Sequence, residues 1–179
     1  IIIPGTKNTI SDMKYLKVSG LAERIVSRIS SDSATFLLGI CGGYQMLGKK
    51  ISDKYHLESG SKEIDGLGLL PISTHLAKDK VLSRVKAREI SSGAEISGYE
   101  IHHGLSDCKA GLKPFFEILE CNGKSTRYFD GFRRKDSRVS GTYIHGLFDA
   151  DTFRREFINT FRQRKGWQPL RQNINFDPD

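Results

Sequence analysis

The chain has 179 residues, of which 37% are hydrophobic and 27% are charged, a composition typical of a globular protein with one sizeable core. A net charge of +7 could indicate a nucleic-acid partner, but the basic residues are spread along the chain and concentrate only at 133–135 and 162–165. We therefore expect no nucleic-acid partner, and we assign these charges to a solvated surface or to docking against an acidic partner.

Neither the apolar runs nor the cysteines indicate a membrane or secreted protein. No apolar run approaches the roughly 20 residues that span a bilayer, and the first residues lack the features of a signal peptide. The three cysteines form no ligand cluster, and an odd number argues against a disulfide framework. We expect a cytoplasmic protein with no membrane partner. Because the chain starts without methionine inside an apolar triplet, we also expect the natural protein to begin upstream.

Two apolar runs near the start of the chain end in glycine turns. Residues 1–3 precede Pro4-Gly5, and residues 35–40 precede Cys41-Gly42-Gly43. Between the runs, apolar residues recur at helical spacing, namely Leu21, Ile25, Val26 and Ile29. This order predicts a strand, a helix and a second strand, which is the unit of a parallel sheet.

After Cys41 the pattern predicts a short helix over residues 43–50, which Gly48 could end. Residues 51–132 are rich in glycine and alternate short apolar runs with polar turns, so we predict strands and loops there. The β-branched run 139–144 predicts a further strand that ends at His145-Gly146.

The last predicted element is an amphipathic helix that Asp151 could cap. Its apolar face contains Phe153, Phe157, Ile158 and Phe161. Beyond Trp167 the sequence is polar and contains proline, which predicts a loosely held tail. We assign residues 1–165 to one domain and residues 166–179 to the tail.

Polar or flexible residues follow three of the predicted strands, namely Gly5, Cys41 and His145. Ligands bind at the carboxyl ends of strands in open parallel sheets, so these residues could form one site. A cysteine on a turn into a helix is exposed to ligand, and the helix N-terminus is expected to lower the thiol pKa. Glycines after it let backbone N–H groups face an oxyanion.

Histidine is the usual proton-transfer partner of a thiolate, and only His145 lies at the end of a convincing strand. The pair His102-His103 raises the possibility of a metal site. However, adjacent side chains on an extended segment point in opposite directions, and nothing completes a ligand set, so we predict no metal. Since the chain has no Gly-x-x-x-x-Gly-Lys-Ser/Thr loop, we expect no ATP site in this domain.

Five motifs in order resemble those of class I (triad-type) glutamine amidotransferases, in particular the cobyric acid synthase branch. The resemblance covers residues 1 to about 161. The motifs are Pro4-Gly-Thr-Lys-Asn-Thr9, Gly39-Ile-Cys-Gly-Gly-Tyr-Gln-Met-Leu-Gly48, Gly66-Leu-Gly-Leu-Leu-Pro71, Gly98-Tyr-Glu-Ile-His102 and Gly141-Thr-Tyr-Ile-His-Gly-Leu-Phe-Asp149.

The resemblance implies a flavodoxin-like α/β fold, with a central, mostly parallel sheet flanked by helices. It also implies a glutaminase in which Cys41 attacks glutamine, His145 transfers protons, and backbone N–H groups at Gly5 and Gly42 stabilise the oxyanion. Gln45 and Gly104 match glutamine-binding positions. The implied partner is an upstream synthetase domain, which would use ATP and Mg²⁺ to amidate a bound corrinoid acceptor in cobalamin biosynthesis.

One position departs from the wider class. Many relatives place a glutamate two residues after the catalytic histidine, whereas this chain has Leu147. Glu100 or a backbone carbonyl could orient His145 instead. Three alternatives stay open: a related amide ligase acting on cobyrinic acid or a cell-wall lipid intermediate, a non-catalytic docking module, and a cysteine hydrolase of another specificity.

Overall fold

The computed structural model describes residues 1–58, 60–108 and 111–170. Within these ranges the helices are α1 (Thr9–Val18), α2 (Leu21–Ser31), α3 (Gly42–Met46) and α4 (Asp151–Arg164). The strands are β1 (Ile2–Ile3), β2 (Leu37–Ile40), β3 (Lys50–Ser52), β4 (Glu63–Asp65), β5 (Ile72–Glu89), β6 (Glu95–Cys108), β7 (Lys113–Cys121), β8 (Lys124–Arg133), β9 (Val139–Thr142) and β10 (Ile144–His145). None of these helices has the length and apolar character that crossing a membrane requires.

The strands form a single mixed sheet. Strand β2 runs parallel to β1 and β9, and β3 runs parallel to β5. The other pairs are antiparallel. The α/β class is confirmed, but the prediction of a mostly parallel sheet is wrong. The physical reason is visible between β7 and β8, where Asn122-Gly123 forms a two-residue turn with positive φ at both positions, which only antiparallel neighbours can use.

The elements around the predicted nucleophile follow the sequence pattern. The two early strands, the helix between them and the short helix after Cys41 are confirmed, although the sequence analysis missed α1. The predicted strand 139–144 is divided at Tyr143. Its first part, β9, pairs with β2, and its second part, β10, pairs with β6. This change of partner brings His145 opposite Tyr99.

The sheet buries an apolar cluster on each face. One cluster contains Met13, Tyr44, Leu47, Ile51, Ile72 and Val139, which come from α1, α3 and the adjoining strands. The other contains Leu38, Phe115, Phe116, Ile118, Ile144 and Phe153, which α4 covers. Burial of these side chains supplies the main favourable free energy of folding. Because β2 lies between the clusters, the turn that follows it starts from a rigid strand.

Helix α4 lies on the sheet through Phe153, Phe157 and Phe161, as predicted, but Ile158 is 39% exposed and does not belong to that face. Asp151 is the first helical residue rather than the cap, and it forms an ion pair with Arg154. Part of the predicted tail is held, because the Leu170 N–H donates to Asn159 at 2.8 Å. Residues 171–179 lie outside the described residues.

Helix α3 packs closely against the end of β1. A Cβ added to Gly43 would lie 2.0 Å from the carbonyl oxygen of Ile3, which is backbone and cannot rotate away. Only glycine therefore allows β1 and α3 to approach this closely. This contact fixes the distance between the loop after β1 and the turn at Cys41.

We expect Gly43→Ala to lower the free energy of unfolding by at least about 3 kcal/mol, because the added methyl group forces β1 and α3 apart. Gly60→Ala is the matched control, since a Cβ there meets nothing within 4 Å, and we expect it to change stability by less than about 0.5 kcal/mol. Urea denaturation followed by circular dichroism measures both. Equal stabilities would contradict the close packing of β1 on α3.

Candidate active site

Cys41 lies on a strained turn between β2 and α3. Its φ is 52° and its ψ is −111°, a left-handed conformation that a non-glycine residue adopts only when the surroundings impose it. The Cys41 N–H donates to the carbonyl oxygen of Thr142 at 2.8 Å, which ties the turn to the end of β9. The strand, turn and helix thus hold the thiol at the carboxyl end of β2, in the arrangement of a nucleophile elbow.

The structure brings together the three strand ends that the sequence singled out. A Cβ added to Gly5 would lie 3.0 Å from Cε1 of His145 and 3.4 Å from Cβ of Cys41. Both side chains therefore border the same small space beside the Gly5 backbone. The absence of a side chain at Gly5 leaves room there for a reacting group.

Gly42 faces the loop that follows β1. A Cβ added to Gly42 would lie 2.6 Å from Cγ2 of Thr6 and 3.1 Å from Oγ1 of Thr9. The loop is held in turn by the hydroxyl of Thr6, which donates to Asp12 and accepts from the N–H of Asn8. Gly5 and Gly42 thus lie on adjacent backbone segments, as a two-part oxyanion site requires.

His145 is held by packing rather than by an acid. Its ring stacks on Tyr99 with centroids 5.2 Å apart and planes 2° apart. A Cβ added to Gly98 would lie 2.3 Å from the His145 carbonyl oxygen, so β6 packs tightly on its backbone. Nε2 is buried and has no hydrogen-bond partner among the described residues. Burial lowers the pKa of His145, which favours the neutral imidazole.

Glu100 does not orient His145. Its carboxylate accepts a hydrogen bond from the hydroxyl of Tyr128 at 2.8 Å, and no hydrogen bond joins it to His145 within the described ranges. A backbone carbonyl does not accept from the imidazole there either. Leu147, at the position where many relatives carry an acid, is buried in the core. The aromatic ring of Tyr99 takes the orienting role, which the sequence analysis missed.

The predicted lowering of the Cys41 pKa is wrong. Burial raises the pKa of the thiol to about 11, and the Gly42 N–H only partly offsets this increase. The side chain is 7% exposed, and Sγ donates to the carbonyl oxygen of Ile101 at 3.4 Å. A helix of five residues contributes too little potential to overcome the loss of water. At neutral pH the site therefore holds a neutral thiol beside a neutral imidazole.

Gln45 and Gly104 lie against each other. A Cβ added to Gly104 would lie 2.2 Å from Nε2 of Gln45 and 2.9 Å from the hydroxyl of Tyr143. Gln45 is buried, and its Oε1 has no hydrogen-bond partner in the described part of the chain. An unsatisfied buried acceptor is costly, so this oxygen is available for a ligand donor.

His102 and His103 point in different directions, as predicted. His102 stacks on Tyr143 with centroids 3.8 Å apart, and its Nδ1 lies 2.8 Å from the carbonyl oxygen of Gly104. Nδ1 of His103 instead lies 3.1 Å from the carbonyl oxygen of Ala77. Across residues 1–58, 60–108 and 111–170, no three side chains of the histidine, cysteine and acidic types are grouped to hold a metal ion.

Asp130 is a buried acid beside the site, and no sequence pattern pointed to it. Its carboxylate accepts a hydrogen bond from the hydroxyl of Thr142 and lies 3.2 Å from the N–H of Tyr143. The Thr142 hydroxyl accepts in turn from the N–H of Ile144 at 3.1 Å. Burial raises the pKa of Asp130 to about 7 despite these bonds. This network fixes the break between β9 and β10 that directs His145 toward Cys41.

A separate groove of about 800 Å³ lies between α4 and the face of the sheet. It is lined by aromatic and arginine side chains, among them Phe36, Phe115, Phe157, Arg133 and Arg138. Neither Cys41 nor His145 borders it. Although the groove is large, it is not the reaction site, because it lacks both proposed reacting groups.

Comparisons with known proteins agree with this geometry. The family model of the CobB/CobQ-like glutamine amidotransferase domain matches residues 1–153. A cobyric acid synthase of Clostridium botulinum (strain Langeland) is 45% identical over 176 residues, covering 97% of this chain and 35% of the relative. A cobyric acid synthase of Caldanaerobacter subterraneus subsp. tengcongensis is 45% identical over 185 residues, covering 98% of this chain and 36% of that relative. The chain thus spans about a third of the length of these relatives.

Two solved structures share the fold. A crystal structure described as a glutamine amidotransferase superposes with a TM-score of 0.60 at 15% identity, covering 92% of this chain and 78% of that chain. The structure of PurLQS from Thermotoga maritima superposes with a TM-score of 0.54 at 15% identity, covering 78% of this chain and 68% of that chain. The predicted glutamine amidotransferase fold is therefore confirmed, with the mixed sheet described above.

We expect alkylation of Cys41 by iodoacetamide to accelerate about tenfold per pH unit between pH 7 and 9 in the protein without substrate, because only the thiolate reacts and its pKa is raised. Peptide mass spectrometry measures the rate, with Cys108 and Cys121 as internal references. A rate that reaches its plateau below pH 8 would show a lowered thiol pKa instead.

We expect Asp130→Ala to cost about 2–4 kcal/mol of stability, because it leaves the Thr142 hydroxyl and the Tyr143 N–H buried without an acceptor. Asp130→Asn retains an acceptor oxygen and is the control, with a smaller loss. Thermal unfolding compares the two. Equal losses for the Ala and Asn variants would show that the accepted hydrogen bonds are not what Asp130 contributes.

Proposed function

The chain belongs to the family of CobB/CobQ-like glutamine amidotransferase domains, and on that premise we propose that it is the glutaminase domain of a cobyric acid synthase. It would hydrolyse glutamine to supply ammonia. The observation that carries the catalytic part of this proposal is the meeting of Cys41 and His145 at Gly5, where one added Cβ would touch both side chains.

The first step is attack of the Cys41 sulfur on the side-chain amide carbon of glutamine. Because the thiol is neutral at neutral pH, its proton must leave as the carbon–sulfur bond forms. The neutral imidazole of His145 is available to accept that proton, since its Nε2 has no hydrogen-bond partner among the described residues. His145 then passes it to the departing amide nitrogen. Ammonia leaves, and a glutamyl thioester remains on Cys41.

The second step is hydrolysis of the thioester. Water attacks the thioester carbon while His145 accepts its proton, and the same proton returns to the sulfur as glutamate leaves. In both steps negative charge develops on the former amide oxygen. Backbone N–H groups near Gly5 and Gly42 would stabilise that charge, and the contact of the loop after β1 with Gly42 supports this role because it limits reorganisation.

The ammonia acceptor lies outside this chain. The relatives are about three times as long, and we propose that an N-terminal synthetase domain of the same enzyme receives the ammonia. That domain would bind ATP, Mg²⁺ and a corrinoid precursor, and it would amidate side-chain carboxylates of the corrinoid. The names of the curated relatives support this acceptor over cobyrinic acid or a cell-wall lipid.

Labelling with 6-diazo-5-oxo-norleucine, a glutamine mimic that alkylates glutaminase nucleophiles, tests the proposal. We expect one adduct on the peptide that contains Cys41, and we expect excess glutamine to prevent it. Cys41→Ala should abolish the adduct, whereas the control Cys121→Ala should leave it unchanged, since Cys121 ends β7 beside the Asn122-Gly123 turn.

The measurement is peptide mass spectrometry on the whole enzyme, so that any contribution of the synthetase domain is present. Labelling that glutamine does not prevent, or an adduct that persists in Cys41→Ala, would contradict a glutamine site at this turn.

A further inference from the structure

A row of hydrogen-bonded hydroxyl groups runs from Gln45 into the sheet, and the proposed reaction does not use it. The Tyr143 hydroxyl lies 2.7 Å from Oγ of Ser106, and that Oγ lies 2.7 Å from Oγ1 of Thr74. Tyr143 and Thr74 are buried. A Cβ added to Gly104 would lie 2.2 Å from Nε2 of Gln45 and 2.9 Å from the Tyr143 hydroxyl. The outer end of the row therefore meets the Gln45 amide.

The two ends of the Gln45 amide have opposite hydrogen-bonding characters, because Nε2 only donates and Oε1 only accepts. Nε2 is directed at the Tyr143 hydroxyl oxygen. Burial raises the pKa of Tyr143, and its hydrogen bonds with Ser106 and Gln45 oppose that increase. Oε1 has no hydrogen-bond partner among the residues that the structure describes. A ligand beside Gln45 therefore meets an acceptor, whereas it would meet a donor if the amide were turned over.

The ring of Tyr143 is held from two sides. His102 stacks on it with centroids 3.8 Å apart, and Tyr44 makes an edge contact with centroids 5.1 Å apart. His102 is held in turn, since its Nδ1 lies 2.8 Å from the carbonyl oxygen of Gly104. The hydroxyl oxygen of Tyr143 is thus fixed, and only its hydrogen can rotate. That hydrogen can point to Ser106 or to the Gln45 amide.

The position of this hydrogen decides which end of the amide turns inward. When it points to Ser106, the Tyr143 oxygen accepts from Nε2 of Gln45 and Oε1 faces the ligand. When it points to Gln45, it needs Oε1 as its acceptor, and Nε2 faces the ligand instead. We infer that Tyr143, through its bond to Ser106, is a positioning residue that keeps Oε1 of Gln45 turned toward a donor of bound glutamine. This inference rests on the proposed glutaminase function and adds residues that act through Gln45.

The test measures ammonia release from glutamine by variants of the whole enzyme. Ser106→Ala removes the inner acceptor, so the Tyr143 hydrogen turns to Gln45 and the amide turns over. We expect KM to rise about tenfold, because a site in the competent orientation one time in ten binds with one tenth of the affinity. We expect kcat to change less than about twofold, since Cys41 and His145 are untouched.

Tyr143→Phe keeps the ring and its stacking but removes the hydroxyl. Neither orientation of the Gln45 amide is then favoured, so KM should rise only about twofold. The variant closer to Gln45 is thus expected to be the less damaging of the two.

The double variant Ser106→Ala/Tyr143→Phe separates positioning from structural damage. Without the Tyr143 hydroxyl nothing drives the amide to turn over, so KM should return to about the value of Tyr143→Phe alone. Structural losses at two neighbouring residues would not cancel in this way. Ser97→Ala is the matched control, since Ser97 is an exposed serine of the same strand, β6, and it should change neither constant.

Protection of Cys41 from iodoacetamide by glutamine gives a second readout that does not depend on turnover, and the half-protecting concentrations should follow the order of the KM values. A change in KM of less than about twofold in Ser106→Ala would overturn the inference. A double variant no better than Ser106→Ala, or a loss confined to kcat, would overturn it as well. These outcomes leave the proposed function intact, which fails separately if the unsubstituted enzyme releases no ammonia from glutamine.

Discussion

Close contact between the backbones of β1 and α3 determines where the reactive groups of this domain lie. Gly43 touches the Ile3 carbonyl, so the loop after β1 reaches the turn at Cys41 and Gly5 comes to lie beside the thiol. The turn itself is strained, and the Cys41 N–H bond to Thr142 holds it against that strain. Because Thr142 also belongs to the network of Asp130, the same few bonds place Cys41 and His145. A shift of β2 or β9 would move both Cys41 and His145. Apolar packing on the two faces of the sheet therefore matters for the chemistry as well as for stability.

The electrostatics of the site favour a pair of neutral groups before substrate binds. Burial disfavours both the thiolate of Cys41 and the imidazolium of His145, since each charge would lose its hydration. No acid is bonded to His145 in the described ranges, and Tyr99 orients its ring by stacking alone. The raised pKa of the Cys41 thiol therefore slows its alkylation and oxidation at neutral pH. In the mechanism that we propose, attack and proton transfer occur together, and the charge that develops is directed to the backbone N–H groups rather than stored on the sulfur.

The sequence predicted those parts of the molecule whose signals are local. The apolar runs ending in glycine identified β1, β2 and the turn at Cys41, and the β-branched run before His145 located β9 and β10. It did not predict the mixed sheet, because the short apolar runs of residues 51–132 do not record which strand each one pairs with. The dipeptide Asn122-Gly123 is a local hairpin signal, but it concerns only the pairing of β7 with β8. Asp130 and Tyr99 were missed for a different reason. Each acquires its role from a partner distant in the chain, respectively Thr142 and His145, and no spacing within the sequence records such contacts.

The central claim is that glutamine forms a covalent intermediate on Cys41, with His145 transferring the protons. Acid quenching of the whole enzyme during turnover of glutamine, followed by mass spectrometry of the peptide that contains Cys41, tests it most directly. We expect a glutamyl group on Cys41 that appears before glutamate accumulates and disappears when glutamine is exhausted. Glutamate formation at the normal rate in Cys41→Ala, or a glutamyl group on any other residue, would contradict the claim.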